Sequence, residues 1–180
     1  ICGALALLLA ACGGGGSSGG SSMSGTTPPA PQKYSQIDLV SNQSGTPAAT
    51  VDSHLVNPWG IAFNSTDFVW VANSGSSTST LYDGNGAMEP PLVAIPAGSA
   101  GPALPTGVVG NETSDFVVTS GAVSGASAFI FDGLHGTITG WSPAVDMNNA
   151  VIAYDGGSTG AEFTGLAIGH DAAGANFLFA

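Results

Sequence analysis

The sequence has almost no positive charge. One Lys and no Arg stand against 12 acidic residues in 180, a formal net charge of −11, and charged residues make up only 7% of the chain. A single cation, Lys33, cannot neutralise a phosphate backbone, which takes clustered Lys and Arg, so nucleic-acid binding is excluded as a class. Coiled coils and long-helix proteins are excluded too, because 28 Gly and 11 Pro would interrupt their helices repeatedly. The apolar run at 4–11 is shorter than the roughly 20 residues that a membrane-spanning helix needs. Cysteine is scarce, with only Cys2 and Cys12, both at the start. What the chain does have is apolar substance: 43% hydrophobic residues and a mean hydropathy of +0.31, unlike the polar, highly charged sequences that stay unfolded.

Residues 1–32 carry no charge and divide into two parts. The first, 1–11, reads as a signal-peptide core, and its end, Leu9-Ala10-Ala11-Cys12, resembles the lipobox of bacterial lipoproteins. That resemblance implies lipidation of the Cys12 sulfur, with Cys12 as the first mature residue. It also implies export and anchoring to the bacterial cell envelope, facing the periplasm or the cell exterior. The alternative is an ordinary secretory signal in which Cys12 is incidental. No basic segment precedes the apolar run and the first residue is Ile1, so the signal is expected to be truncated at its start. The second part, 12–32, is the lipidated Cys followed by a Gly/Ser/Pro-rich tether, whose 20 residues after Cys12 would span about 25 Å as a random coil. With Cys2 removed and Cys12 lipidated, no disulfide is expected, and stability must come from packing.

Residues 33–180 hold every charge and are expected to fold. Short runs rich in β-branched and aromatic residues, at 68–72, 116–119, 128–131, 151–154 and 177–179, are separated by Gly, Asn, Asp, Ser and Pro, which predicts an all-β protein. Several runs are continuously apolar, as in sheets covered on both faces. The chain also repeats. Trp59-Gly60-Ile61-Ala62-Phe63-Asn64 with Asp67-Phe68-Val69-Trp70 parallels Thr106-Gly107-Val108-Val109-Gly110-Asn111 with Asp115-Phe116-Val117-Val118. A third copy runs from Thr164-Gly165-Leu166-Ala167-Ile168-Gly169 to Asn176-Phe177-Leu178-Phe179. Spacings of 47 residues from Gly60 to Gly107 and 58 from Gly107 to Gly165 suit propeller blades, not leucine-rich or ankyrin repeats. The expectation is a β-propeller of four-stranded blades: a first blade at 57–104, a second at 105–162 and the start of a third at 163–180. In the first, strands are placed at 60–63, 68–72, 79–82 and 92–95, with Asp83-Gly84-Asn85-Gly86 as a turn. Two and a half blades cannot close a ring, so the chain is expected to be a fragment, with 34–40 as a ring-closing strand.

Asn57-Pro58-Trp59-Gly60-Ile61-Ala62-Phe63, Ser79-Thr80-Leu81-Tyr82, Ser114-Asp115-Phe116-Val117-Val118, Gly136-Thr137-Ile138-Thr139-Gly140-Trp141 and Gly165-Leu166-Ala167-Ile168-Gly169 occur in order. Together they resemble an uncharacterised family of secreted bacterial proteins similar to six-bladed propellers of the NHL type, some with a PEP-CTERM sorting signal. The resemblance implies fold and export; it brings no catalytic residue.

No constellation of catalytic residues emerges from the residues themselves. Gly156-Gly157-Ser158-Thr159-Gly160 matches the nucleophile elbow of α/β-hydrolases, but a strand rather than a helix is expected after it, so Ser158 is assigned to a loop. Asp83-Gly84-Asn85-Gly86 resembles the start of a calcium loop, yet position five is Ala87 and no Glu stands at position twelve, leaving a hairpin turn. His54, His135 and His170 lack partners at ligand spacing, so no metal site, cofactor or catalytic residue is assigned. Trp59, Trp70 and Trp141 could present an aromatic surface to flat ligands, against the alternative of packing between blades. The functional expectation is a lipid-anchored binding or scaffold module with an unidentified envelope or extracellular ligand. The alternative is a propeller hydrolase or lyase acting on cell-wall or extracellular substrates, with its site in the missing blades. The anchor is checked by fractionation: Cys12→Ala should move the protein from the membrane to the soluble fraction, and unchanged partition would refute it.

Overall fold

The computed structural model describes residues 34–65 and 68–180, so the expected signal segment, Cys12 and the expected tether lie outside the described residues. The chain divides into a segment at 1–35 and a compact unit, Gln36–Ala180. Its described residues are all-β, with one 3-10 turn, Gly157–Thr159, and no α-helix.

β-branched and aromatic residues form the strands, and Gly, Asn and Asp turn them. After two short parallel strands, β1 (Val40–Ser41) and β2 (Thr50–Val51), comes a four-stranded antiparallel meander. It comprises β3 (Pro58–Phe63), β4 (Val69–Asn73), β5 (Thr78–Tyr82) and β6 (Met88–Ala94), in spatial order 3-4-5-6. These strands overlap the four expected positions. The turn before β6 forms around Asp83, whose Oδ1 accepts the backbone N–H groups of Asn85 (2.8 Å) and Ala87 (2.7 Å).

The second sheet departs from expectation. Its members are β7 (Pro105–Gly110), β10 (Phe129–Gly133), β11 (Thr137–Trp141) and β12 (Val151–Asp155). The run at 116–119, expected as its second strand, belongs instead to a separate hairpin of β8 (Val117–Ser120) and β9 (Val123–Ala126). Gly121, at φ +60°, supplies the first central position of its two-residue turn, a geometry suited to tight hairpins. Burial settles the choice: Phe129 and Phe131 are fully enclosed, whereas Val117 is 56% exposed. With the hairpin set aside, the two sheets correspond strand for strand. Gly60 opposes Ala72 as Gly107 opposes Asp132, and Val69 opposes Tyr82 as Phe129 opposes Trp141.

A last hairpin, β13 (Ala167–His170) with β14 (Asn176–Phe179), completes the described chain, and none of the sheets closes on itself. Residues 34–39 form no strand, and the expected ring-closing segment contributes only Val40, which with Ser41 pairs in parallel with β2. Its local partner at 50–51 is closer in sequence than any other strand, and the closure entropy is correspondingly small.

The core lies between the first and second sheets. Trp70 stacks on Phe129 with ring centroids 4.0 Å apart, Trp141 tilts against Trp70 at 4.7 Å, and Ala62, Ala72, Leu81, Val93 and Val108 fill in around them. Offset aromatic pairs at such separations contribute about 0.5–1.5 kcal/mol beyond area burial. Strands β3 and β7 also run side by side without pairing. A methyl group on Gly60 would lie 2.8 Å from the Val108 nitrogen, and one on Gly110 would lie 2.7 Å from the Phe63 oxygen. One repeat on, a methyl group on Gly107 would lie 2.9 Å from the Leu166 nitrogen.

Candidate functional site

The most developed polar cluster is built on Asp52, which directly follows β2 and is 2% exposed. Its Oδ1 accepts the His54 backbone N–H (2.8 Å) and sits 3.0 Å from His54 Nδ1, while Oδ2 accepts the Tyr82 hydroxyl (2.6 Å). The Ser76 hydroxyl donates to the His54 carbonyl (2.6 Å), which fixes the loop between β2 and β3 against the turn between β4 and β5. His54 is partly exposed and borders a cavity of about 300 Å³ shared with Thr80, Met88, Glu89, Pro90 and Pro91. Below it, the Asn73 amide donates to Thr80 Oγ1 (2.9 Å), and Asn73 Oδ1 is buried without a partner.

Burial pushes the Asp52 carboxyl up, but the hydrogen bonds from Tyr82 and His54, with the attraction of the His54 ring, outweigh it and hold the group below the usual carboxylate range. Tyr82 is pushed well above its ordinary value, first by burial and then by its bond to Asp52. At neutral pH the cluster is therefore a carboxylate held by a neutral phenol. With Nδ1 committed to Asp52, Nε2 is the ring atom available to a ligand. This orienting contact is the one that a carboxylate supplies to a general base, but among the described residues no Ser, Cys or Lys lines the cavity.

A second buried carboxylate, Asp132 on β10, accepts bonds from Thr106 Oγ1 (3.0 Å) and the Gly107 backbone N–H, and its Oδ2 has no partner. Burial raises its pKa, against the pull of Thr106 and of the Gly107 and Gly165 amides. Thr106 Oγ1 also lies 2.9 Å from the Phe163 carbonyl oxygen, so its one proton serves either that oxygen or the Asp132 carboxylate. This cluster therefore fastens the second sheet to the start of the third repeat.

The residues singled out in the sequence are scattered. Ser158 lies in the 3-10 turn, not on a strand-to-helix elbow. Asp83 spends its carboxylate on its own turn. His135 Nδ1 lies 2.8 Å from the Pro102 carbonyl oxygen, and His170 is exposed on β13. Trp70 and Trp141 are core residues and only Trp59 is exposed, so the three form no common surface. Among the described residues, no group of three or more His, Cys, Asp or Glu side chains could hold a metal. The Asp52–His54 pair escaped sequence reasoning. Its local signal is the Asp-Ser-His spacing, which lets Asp52 cap the His54 N–H, but Tyr82, which completes it, is 30 residues away.

Comparison with known proteins gives two relatives. An uncharacterised protein of Acanthamoeba polyphaga mimivirus is 33% identical over 135 residues, 74% of this chain and 33% of that protein. A second from the same virus is 30% identical over 135 residues, 74% of this chain and 36% of its own length. The chain thus spans about a third of the length of the curated relatives it matches. No family model matches it, and neither does any solved structure. These findings correct the resemblance drawn from the sequence: the relatives are proteins of a virus of a eukaryote, not secreted bacterial propeller proteins, and nothing in them supports a bacterial lipoprotein.

The Asp52 bonds set a pH dependence. A carboxyl depressed in the folded state contributes stability above its unfolded pKa, near 3.8, and that contribution is lost as pH falls through the lower folded value. Asp52→Asn should therefore cost about 1–3 kcal/mol at pH 7 in urea unfolding, with the gap to wild type shrinking in acid below the unfolded value. A gap that stayed constant down to full protonation would contradict the assignment.

Proposed function

We propose that the chain is a portion of a β-propeller, with four-stranded sheets as its blades, and that it serves as a binding or scaffold module. Support for the propeller comes from the repeated spacing of 47 and 58 residues, the strand-for-strand correspondence of the two sheets, and the side-by-side approach of β3 to β7 and of β7 to Leu166. Both relatives are long enough to hold further repeats of the same kind.

The binding reading rests on one observation: His54 is oriented by a buried carboxylate at the border of a cavity with Pro and Met walls. Such a site suits a small ligand that offers an apolar ring to Met88, Pro90 and Pro91 and a hydrogen-bonding group to His54 or Glu89. The same Asp–His pair is what favours the second reading, a hydrolase or lyase, in which His54 would act as the base. Export and membrane attachment through Cys12 belong to the proposal on the strength of residues 4–12 alone.

A library of small ring compounds, screened by methyl and imidazole NMR, tests the binding reading. Binders should shift the Met88 methyl and His54 ring signals, and His54→Ala should weaken them about tenfold, the worth of one hydrogen bond of about 1.4 kcal/mol. Binders that leave both signals unmoved would sink this site. Turnover of ester or glycoside substrates abolished by His54→Ala would decide for the enzyme.

A further inference from the structure

The cavity beside His54 owes its shape to β6. On β5 one residue, Thr80, separates Ser79 from Leu81, whereas on β6 three residues, Pro90, Pro91 and Leu92, separate their partners Val93 and Glu89. The surplus leaves the ladder as a bulge. β6 is an edge of its sheet, the place where a proline's missing N–H costs no ladder bond. Pairing with β5 holds this wall and Asp52 holds His54, and every residue lining the cavity falls between His54 and Leu92. One sheet and the loop before it therefore build the whole cavity, on the outer edge of the sheet rather than on a face to which a further repeat would be stacked.

The polar groups around it share one property: they accept. The Asp52 carboxylate takes the Nδ1 proton of His54, so in the neutral ring Nε2 presents a lone pair. Glu89 brings a carboxylate that has no hydrogen bond or ion pair with any described residue. The Thr80 hydroxyl is engaged by the Asn73 amide and by Tyr82, and Tyr82 gives its own proton to Asp52. A ligand that satisfies this set must bring the donors, and the unpaired carboxylate favours one that brings positive charge with them. The folded unit supplies no such cation itself. Residues 36–180 contain no Lys or Arg, yet all 12 acidic residues lie among them, so their summed field concentrates cations at the surface and repels anions. With a volume of about 300 Å³ the cavity is at the small end for ligand sites, and its apolar wall of Met88, Pro90, Pro91 and Leu92 suits one short apolar body.

We infer that this cavity takes a primary ammonium group carried on a short apolar body, with the ammonium shared between Glu89 and His54 Nε2 and the body lying on Met88, Pro90 and Pro91. The inference rests on the binding reading of the cavity and gives it a ligand class. Two sources offer this chemistry: a free arylalkylamine and the lysine side chain of a partner protein.

Titration of the 180-residue chain with phenethylamine at about pH 8, above the ordinary histidine range, is the test, read from the Met88 methyl and His54 ring NMR signals. Phenethylamine should shift both signals and bind at least about tenfold more tightly than phenethyl alcohol, which keeps the ring and loses the charge. Phenylacetate should not bind. Glu89→Gln, which keeps the size of the side chain, should weaken phenethylamine about tenfold and leave the alcohol unchanged. The amine-to-alcohol comparison is made on the wild type and needs no variant to fold. The lysine analogue Nα-acetyl-lysine amide separates the sources: tighter binding than phenethylamine assigns the site to a partner's lysine, weaker binding to a free amine. Equal affinity for amine and alcohol, unmoved by Glu89→Gln, would overturn the ammonium inference while leaving the cavity a binding site. Met88 and His54 signals that neither compound shifts would overturn the binding reading along with it.

Discussion

The closeness of neighbouring inner strands is the constraint on which the rest of the structure depends. At Gly60 and again at Gly107, the next repeat's backbone passes where a β-carbon would sit, 2.8 Å from the Val108 nitrogen and 2.9 Å from the Leu166 nitrogen. Real β-carbons do not tolerate such approaches, so glycine is the residue that allows them. Once β3 and β7 lie this close, the sheets they lead are brought face to face, and Trp70, Phe129 and Trp141 fill the space between them. The buried Asp132 serves the same junction on the other side of the second sheet. It ties Gly107 through its carboxylate, while Thr106 reaches the Phe163 carbonyl.

Polar groups inside this stack show how the two copies of the repeat have diverged. In the first sheet, the Asn73 amide donates to Thr80 Oγ1. The corresponding hydroxyl in the second, Thr139 Oγ1, is buried without a partner, because Gly133 stands where Asn73 would be. A side chain there would meet the Ala103 oxygen at 2.3 Å, so the loop packed on β10 has taken the amide's place. The first sheet, in turn, carries Tyr82 at the position of Trp141, and its hydroxyl turns the sheet's outer face into the support for Asp52 and His54. One change of aromatic residue thus separates a packing position from the base of the candidate site.

Much of the fold was legible in the sequence, and the failures have physical causes. The first sheet could be read because β3 and β4 are largely apolar and β5 is separated from β6 by a clear turn, Asp83 to Ala87. In the second, Asp115-Phe116-Val117-Val118 looks like Asp67-Phe68-Val69-Trp70, but local likeness lost to long-range burial, and 129–133 took the strand position beside β7. The expected ring-closing strand at 34–40 failed for a related reason: only Val40 of it is in a strand, Val40–Ser41, which found a partner nearby at 50–51. Of the candidate site, the sequence carries only the local Asp52–His54 spacing, which went unread because Tyr82 and the Pro90–Pro91 wall are brought in by β5 and β6 pairing. The glycines that dominate the composition are read differently as a result. Some only turn the chain, as Gly121 does, whereas Gly60 and Gly107 set the distance between sheets.

The most direct measurement is urea unfolding of Gly60→Ala and Gly107→Ala beside Gly84→Ala, whose added methyl group meets nothing within 4 Å. If neighbouring strands are held together at those two glycines, each of the first two substitutions should cost about 1–3 kcal/mol, as overpacking does, and the third should stay within about 0.5 kcal/mol of wild type. Equal stability of all three variants would mean that the strands do not approach at Gly60 and Gly107, and the stacked arrangement of repeats would be wrong.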